Sequence, residues 1–145
     1  MKKTLITLAL AAAAGTALAQ ATPVGLWKTI DDDGKTEKSQ VRITESAGVL
    51  TGKIEKIADP AKQDSKCDKC SDERKDKPVL GMTIIRNAKA DGDKALWEGG
   101  DILDPNDGKV YKLRLKPVEG GKKLEVRGFI GISLLGRTQT WIRVE

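Results

Sequence analysis

The feature that most constrains this chain is a rhythm of short stretches with period-two alternation, separated by turn-forming pairs. In Lys109–Lys116, Tyr111, Leu113 and Leu115 fall on one face, and Lys112, Arg114 and Lys116 on the other. Val41 and Ile43 alternate with Arg42 and Thr44, and Leu50, Gly52 and Ile54 alternate with Thr51, Lys53 and Glu55. Successive side chains of a strand point to opposite faces, so these stretches predict antiparallel strands with one face buried. Between them lie Asp31-Asp32-Asp33-Gly34, Ser46-Ala47-Gly48, Asp91-Gly92-Asp93, Asn106-Asp107-Gly108 and Glu119-Gly120-Gly121. Asp-Gly and Gly-Gly pairs supply the positive φ angles of tight hairpins.

Eight strands are predicted, near 24–30, 39–45, 49–57, 81–86, 95–102, 109–116, 123–129 and 137–144. No stretch beyond residue 20 carries a long apolar stripe of helical period. Eight antiparallel strands joined mostly by hairpins predict an all-β up-and-down barrel, which closes on itself and leaves no exposed edge. A two-sheet β-sandwich is the alternative. An outer-membrane barrel fits poorly: its strands would need roughly 9–11 residues, an apolar outer face and aromatic girdles. This chain has five aromatic residues, three Trp, one Tyr and one Phe.

The N-terminus has the three parts of a secretory signal peptide. Lys2 and Lys3 begin it, an apolar run from Leu5 to Ala14 follows, and Ala17-Leu18-Ala19 supplies a small-x-small cleavage site. The run is shorter than the roughly 20 apolar residues of a membrane span. Cleavage after Ala19 is expected, leaving residues 20–145 as a single domain in the periplasm or outside the cell. The first cysteine is Cys67. No cysteine therefore stands at the cleavage point to carry a lipid, and no membrane anchor is expected. The formal charge of +5 falls by the two lysines removed, and 32% of residues are charged with both signs mixed. That mixture describes a solvated surface, not a nucleic-acid footprint.

One stretch breaks the strand rhythm. Ala58–Pro78 holds six basic and six acidic residues and both cysteines. Long loops in compact domains are usually functional or mobile, but this one has no net charge to steer a partner and reads as solvated. Cys67-Asp68-Lys69-Cys70 is a C-x-x-C pair. A zinc site needs about four ligands, and the chain has no histidine and no further cysteine. A thioredoxin-type site needs a strand followed by a helix N-terminus, which the pattern lacks. The pair is therefore expected to form a local disulfide in an oxidising compartment. No metal site is expected. An EF-hand loop starting at Asp31 would need glutamate at its twelfth position, which is Arg42.

Gly25-Leu26-Trp27 opens the first strand and Arg143 closes the last. These strands are neighbours in an up-and-down barrel, so a guanidinium stacked on the indole is expected to seal one end. The last two strands are harder to orient. Arg127 and Phe129 share one face, opposite Val126 and Gly128, while Gln139, Trp141 and Arg143 lie opposite Thr138, Thr140 and Ile142. Neither face is cleanly apolar. Between them, Gly131-Ile132-Ser133-Leu134-Leu135-Gly136 is an apolar connection where a polar one is usual. Two destinations are open to it: inward as a plug, or outward at a pocket mouth or against a partner.

These residues carry a family resemblance. Gly25-x-Trp27, the Cys67-x-x-Cys70 pair, Gly99-Gly100-Asp101-Ile102-Leu103-Asp104-Pro105 and Gly108-Lys109-Val110-Tyr111 resemble the bacterial exported family called domain of unknown function 2147. Val126-Arg127-Gly128-Phe129-Ile130-Gly131 and Leu135-Gly136-Arg137-Thr138-Gln139-Thr140-Trp141-x-Arg143 complete the match, which covers nearly all of residues 23–145. The resemblance implies a lipocalin-like barrel and brings no established catalytic residues.

The expected function is non-enzymatic binding of a small apolar or amphipathic molecule, without a cofactor. Eight-stranded barrels can hold one small ligand near the mouth. The candidate contacts are Trp97, Tyr111, Arg127, Phe129, Leu134 and Trp141, with the mouth placed near Gly131–Gly136 and away from the charged excursion. The alternative is a filled barrel that binds another envelope protein.

Overall fold

A computed structural model describes residues 21–145. The expected signal peptide lies outside the described residues. Eight strands form one closed barrel: β1 (Gly25–Ile30), β2 (Glu37–Ser46), β3 (Val49–Ile57), β4 (Thr83–Ala90), β5 (Trp97–Asp104), β6 (Lys109–Val118), β7 (Lys123–Phe129) and β8 (Arg137–Arg143). Each strand pairs antiparallel with the next, and β8 returns to β1. The sandwich alternative is excluded.

Two strands lie further along the chain than the alternation predicts. β4 runs over Thr83–Ala90 in place of 81–86, and β5 over Trp97–Asp104 in place of 95–102. The physical reason is irregular pairing. Register shifts flank Gly52 where β3 meets β4, and another falls between Glu98 and Gly100 where β5 meets β6. At a bulge the inside–outside alternation slips by one residue, which misleads a count based on strict alternation. Glycine is required at one of these places. A Cβ on Gly100 would strike the Arg86 carbonyl and lie 2.5 Å from the Ala88 nitrogen on β4.

The connections sort by end. The turns β2–β3, β4–β5 and β6–β7 lie at one end of the barrel, with Thr22–Val24 and Glu145. The connections β1–β2, β3–β4, β5–β6 and β7–β8 lie at the other. The first end is sealed. Trp27 is fully buried and donates from Nε1 to the Pro23 carbonyl at 2.7 Å. The Arg143 guanidinium lies 4.2 Å from the centroid of its ring. The same guanidinium donates to the carbonyls of Gly121, Val24 and Thr22 at 2.5, 2.8 and 2.7 Å. One cation thus caps the indole and ties together the β6–β7 turn and the segment leading into β1. Above this plug the core is aliphatic, with Val41, Ile43, Leu50, Leu113, Leu115 and Leu124 fully buried.

The Asp31–Gly34 segment is a hairpin turn. Asp33 accepts from the Thr36 hydroxyl and from the Thr36 and Lys35 amides. Those donors hold its carboxyl at about 2, well below the usual aspartate value.

Candidate functional site

The open end holds a cavity of about 470 Å³. Its walls combine apolar side chains from five strands, among them Ile54, Ile84, Ile102, Val126 and Trp141. Polar groups lie nearer the rim. Thr29 and Ser39 share a hydrogen bond at 2.8 Å across β1 and β2. Trp141 donates from Nε1 to Gln139 Oε1 at 3.1 Å, and Gln139 donates to Asp32 at 2.9 Å. This explains why β8 turns a polar face inward. Val126 is opposite Gln139, Leu124 opposite Trp141 and Gly128 opposite Arg137, so the mixed face of β8 lines the barrel beside the apolar face of β7.

Arg137 is the hub of one side of the rim. It donates to Asp104 at 2.8 Å and to Asp32 at 3.0 Å, joining the β5–β6 and β1–β2 turns. Its guanidinium lies 5.6 Å from the centroid of Tyr111. The Tyr111 hydroxyl donates to Asp107 at 2.6 Å. That hydrogen bond, with burial and the Asp107 charge, pushes the phenol up to about 12. The ring is therefore a neutral donor throughout the physiological pH range.

The other side of the rim is made by the long β3–β4 connection, and here two sequence expectations are corrected. Ala58–Pro78 is not a freely solvated excursion. Cys67 and Cys70 form the expected disulfide and are buried in the core cluster with Leu103 and Met82. Arg74 is buried, chelated by Asp72 and donating to the Thr83 carbonyl at 2.9 Å. This contact holds the Asp72 carboxyl at about 2. Glu73 pairs with Arg86 of β4 at 2.5 Å. Backbone bonds complete the strap: the Cys67 amide donates to Lys77, and the Val79 amide to Ser65. Equal numbers of positive and negative charges gave the segment no net field, yet some of those charges pair specifically and anchor it. Lys62, Ser65, Lys66 and Lys69 consequently line the cavity. The mouth expected near Gly131–Gly136 and away from this segment is instead walled by it.

The six candidate contacts separate. Tyr111 and Trp141 line the cavity. Trp97 is paired with Ala90 and Leu115 and packs against the core, away from the cavity wall. Phe129 is on the outer face, where Arg114 lies 5.9 Å from its centroid. Arg127 also points outward, donating to the Ser133 carbonyl and to Thr138. Through that bond it props the β7–β8 connection. Leu134 sits in that connection, 83% exposed, with Leu135 at 75%. The segment is no plug. It stands out from the rim as a single 3₁₀ turn at Ser133–Leu135. The wall residues Thr29, Ser39, Gln139 and Arg137 were missed as site residues. A polar inward face on β8 was the available signal, since a polar residue inside a small barrel marks either a seal or a lined cavity.

Residues 25–143 match the model of a family described as "Uncharacterized protein conserved in bacteria (DUF2147)". No curated protein matches the chain. Among solved structures the barrel is similar to one reported as "Protein HP1028 from the human pathogen Helicobacter pylori belongs to the lipocalin family", with a TM-score of 0.71 and 22% identity. The similarity covers 84% of this chain and 82% of that one. At this identity the likeness shows a lipocalin-like fold. Among the described residues no helix is long and apolar enough to cross a membrane.

Proposed function

The chain belongs to the bacterial family DUF2147, and from that premise we propose that it is an exported, non-enzymatic binder of one small apolar or amphipathic molecule. The observation that carries this reading is the cavity. About 470 Å³ of space at the open end, with an apolar interior and a polar rim, falls in the roughly 300–1,000 Å³ range of small-molecule pockets. A barrel built only for stability would fill that space, because interiors pack close to crystal density and each void forfeits dispersion contacts. The lipocalin-like fold supports the same reading, since barrels of this size hold one small ligand. Export is supported by the tripartite N-terminus and is consistent with a buried disulfide.

Native mass spectrometry of protein taken from the producing cell tests the proposal. A bound mass of roughly a few hundred daltons, as suits a pocket of this class, is the expected result. Protein with no adduct, both as isolated and after incubation with a total lipid extract, would overturn it.

A second reading, docking of another envelope protein, is favoured by one observation. Ile132, Leu134 and Leu135 are exposed together on the β7–β8 connection, where burial would be worth about 1.5–3 kcal/mol for each side chain. Because water already surrounds them, Leu134→Asp with Leu135→Ser should change the unfolding free energy by no more than about 0.5 kcal/mol. A denaturant melt checks this. A loss of several kcal/mol would show that the segment serves the barrel's own stability.

A further inference from the structure

The two sides of the rim differ in what their charges are doing. On the β1–β2 and β5–β6 side the acids are occupied. Asp32 and Asp104 are held by Arg137, Asp31 lies 3.8 Å from Lys38, and Asp107 accepts from Tyr111. The strap side is the reverse. Lys62, Lys66 and Lys69 all line the cavity mouth, and none forms an ion pair among the described residues. Of the strap's carboxylates, Asp68 is the one that lines the mouth with them. The strap that carries these lysines is fixed by the Cys67–Cys70 disulfide and by Arg74, so the ammonium groups have a firm base beside the cavity.

We infer that the cavity selects an amphipathic anion: an apolar body lies against Ile54, Ile84 and Val126, and a carboxylate, sulfate or phosphate head meets Lys62, Lys66 and Lys69. This rests on the proposed binding function and names its ligand class. The opposite rim cannot serve a cationic head equally well, because its carboxylates would first have to release Arg137, Lys38 and the Tyr111 hydroxyl. An anionic head displaces nothing. It adds charge-assisted contacts to groups that otherwise face water. The strap's lack of net charge does not oppose this: of its six acids, Asp72 and Glu73 are tied to Arg74 and Arg86, and only Asp68 lines the cavity, against three lysines.

Calorimetric titration of the oxidised protein with decanoate, decanol and decyltrimethylammonium tests the inference, since the apolar chain is the same in all three. Decanoate should bind about tenfold more tightly than decanol, and added salt should erode the difference by screening. The Lys62→Gln/Lys66→Gln/Lys69→Gln variant should fold normally, because all three side chains are exposed. It should bind decanoate and decanol about equally, having lost the anion preference. Equal binding of decanoate and decanol by the unaltered protein, or preference for the cation, would overturn the choice of an anion while leaving the binding cavity in place. So would an anion preference that survives the triple substitution. Failure of all three probes to bind would overturn the cavity reading and this inference together.

Discussion

Replacing Trp27 by alanine should cost about 3–5 kcal/mol of unfolding free energy, the range for truncating a large buried aromatic. The indole is fully buried at the sealed end, and its loss empties the plug on which the aliphatic core rests. It also orphans the Pro23 carbonyl and takes the ring from beneath Arg143. Arg143→Ala should cost less, because two of the three carbonyls it releases, those of Thr22 and Val24, belong to residues near enough to the surface to find water. The two substitutions should not add. A cation packed on an indole contributes roughly 0.5–2 kcal/mol, and that amount should appear as coupling in a double-mutant cycle measured by urea unfolding. Strict additivity would show that the stacked pair does not hold this end together.

The second large effect is expected at Gly108. Its φ is +71°, a left-handed value that costs other residues about 1–2 kcal/mol. A Cβ there would also overlap the Lys69 carbonyl and lie 2.8 Å from the Cys70 nitrogen. Both atoms belong to the backbone of the disulfide turn and cannot rotate away. Overpacking of this kind adds about 1–3 kcal/mol. Gly108→Ala should therefore destabilise the protein and lift the strap from the β5–β6 turn, speeding hydrogen exchange at the Cys67 and Cys70 amides. Gly34→Ala is the control. It has nearly the same φ, +72°, but opens onto empty space, so only the conformational cost applies. Equal losses for the two variants would mean that the strap does not press on that turn.

These two glycines show where sequence reading works and where it stops. Both were legible as turn residues, since Asp-Gly pairs mark hairpins for a local, backbone reason. That one of them also receives another segment of chain was not legible, because the partner lies in a loop with no periodicity. The barrel itself was readable because alternation, turn spacing and strand count agree. Arg143 on Trp27 was readable for the same reason: once the barrel closes, first and last strands must touch. Local pattern failed where a residue's role depends on a distant partner. Arg74 looks like one of six interchangeable cations until Asp72 and the Thr83 carbonyl enclose it. Gln139 and Arg137 look like surface residues until Asp32 arrives from the β1–β2 turn. Aromatic character was an equally poor guide to the cavity. Phe129 and Trp97 are apolar, but register puts the first outside and packs the second into the core, while Thr29 and Ser39 line the wall.

The join between β1 and β8 has a consequence for how the chain reaches its native state. Only Trp27–Arg143 and Lys28–Ile142 are in register there, extended by backbone bonds between Leu26 and both Val144 and Glu145. Every other neighbouring pair is consecutive in the chain, and all but β3 and β4, which the long strap joins, can zip from a short connection. This seam cannot: Arg143 must find Val24 and Thr22, 119 and 121 residues earlier. Loop-closure entropy is lost before those contacts reward it, and topologies rich in distant pairings fold slowly. The meander of hairpins should assemble first as an open, curled sheet, with seam closure as the late step. Until then β1 and β8 are bare edges able to pair with another chain. Stacking Arg143 on Trp27 at that junction makes the last contacts to form among the stronger ones, which slows reopening of the seam and keeps those edges covered once it has closed.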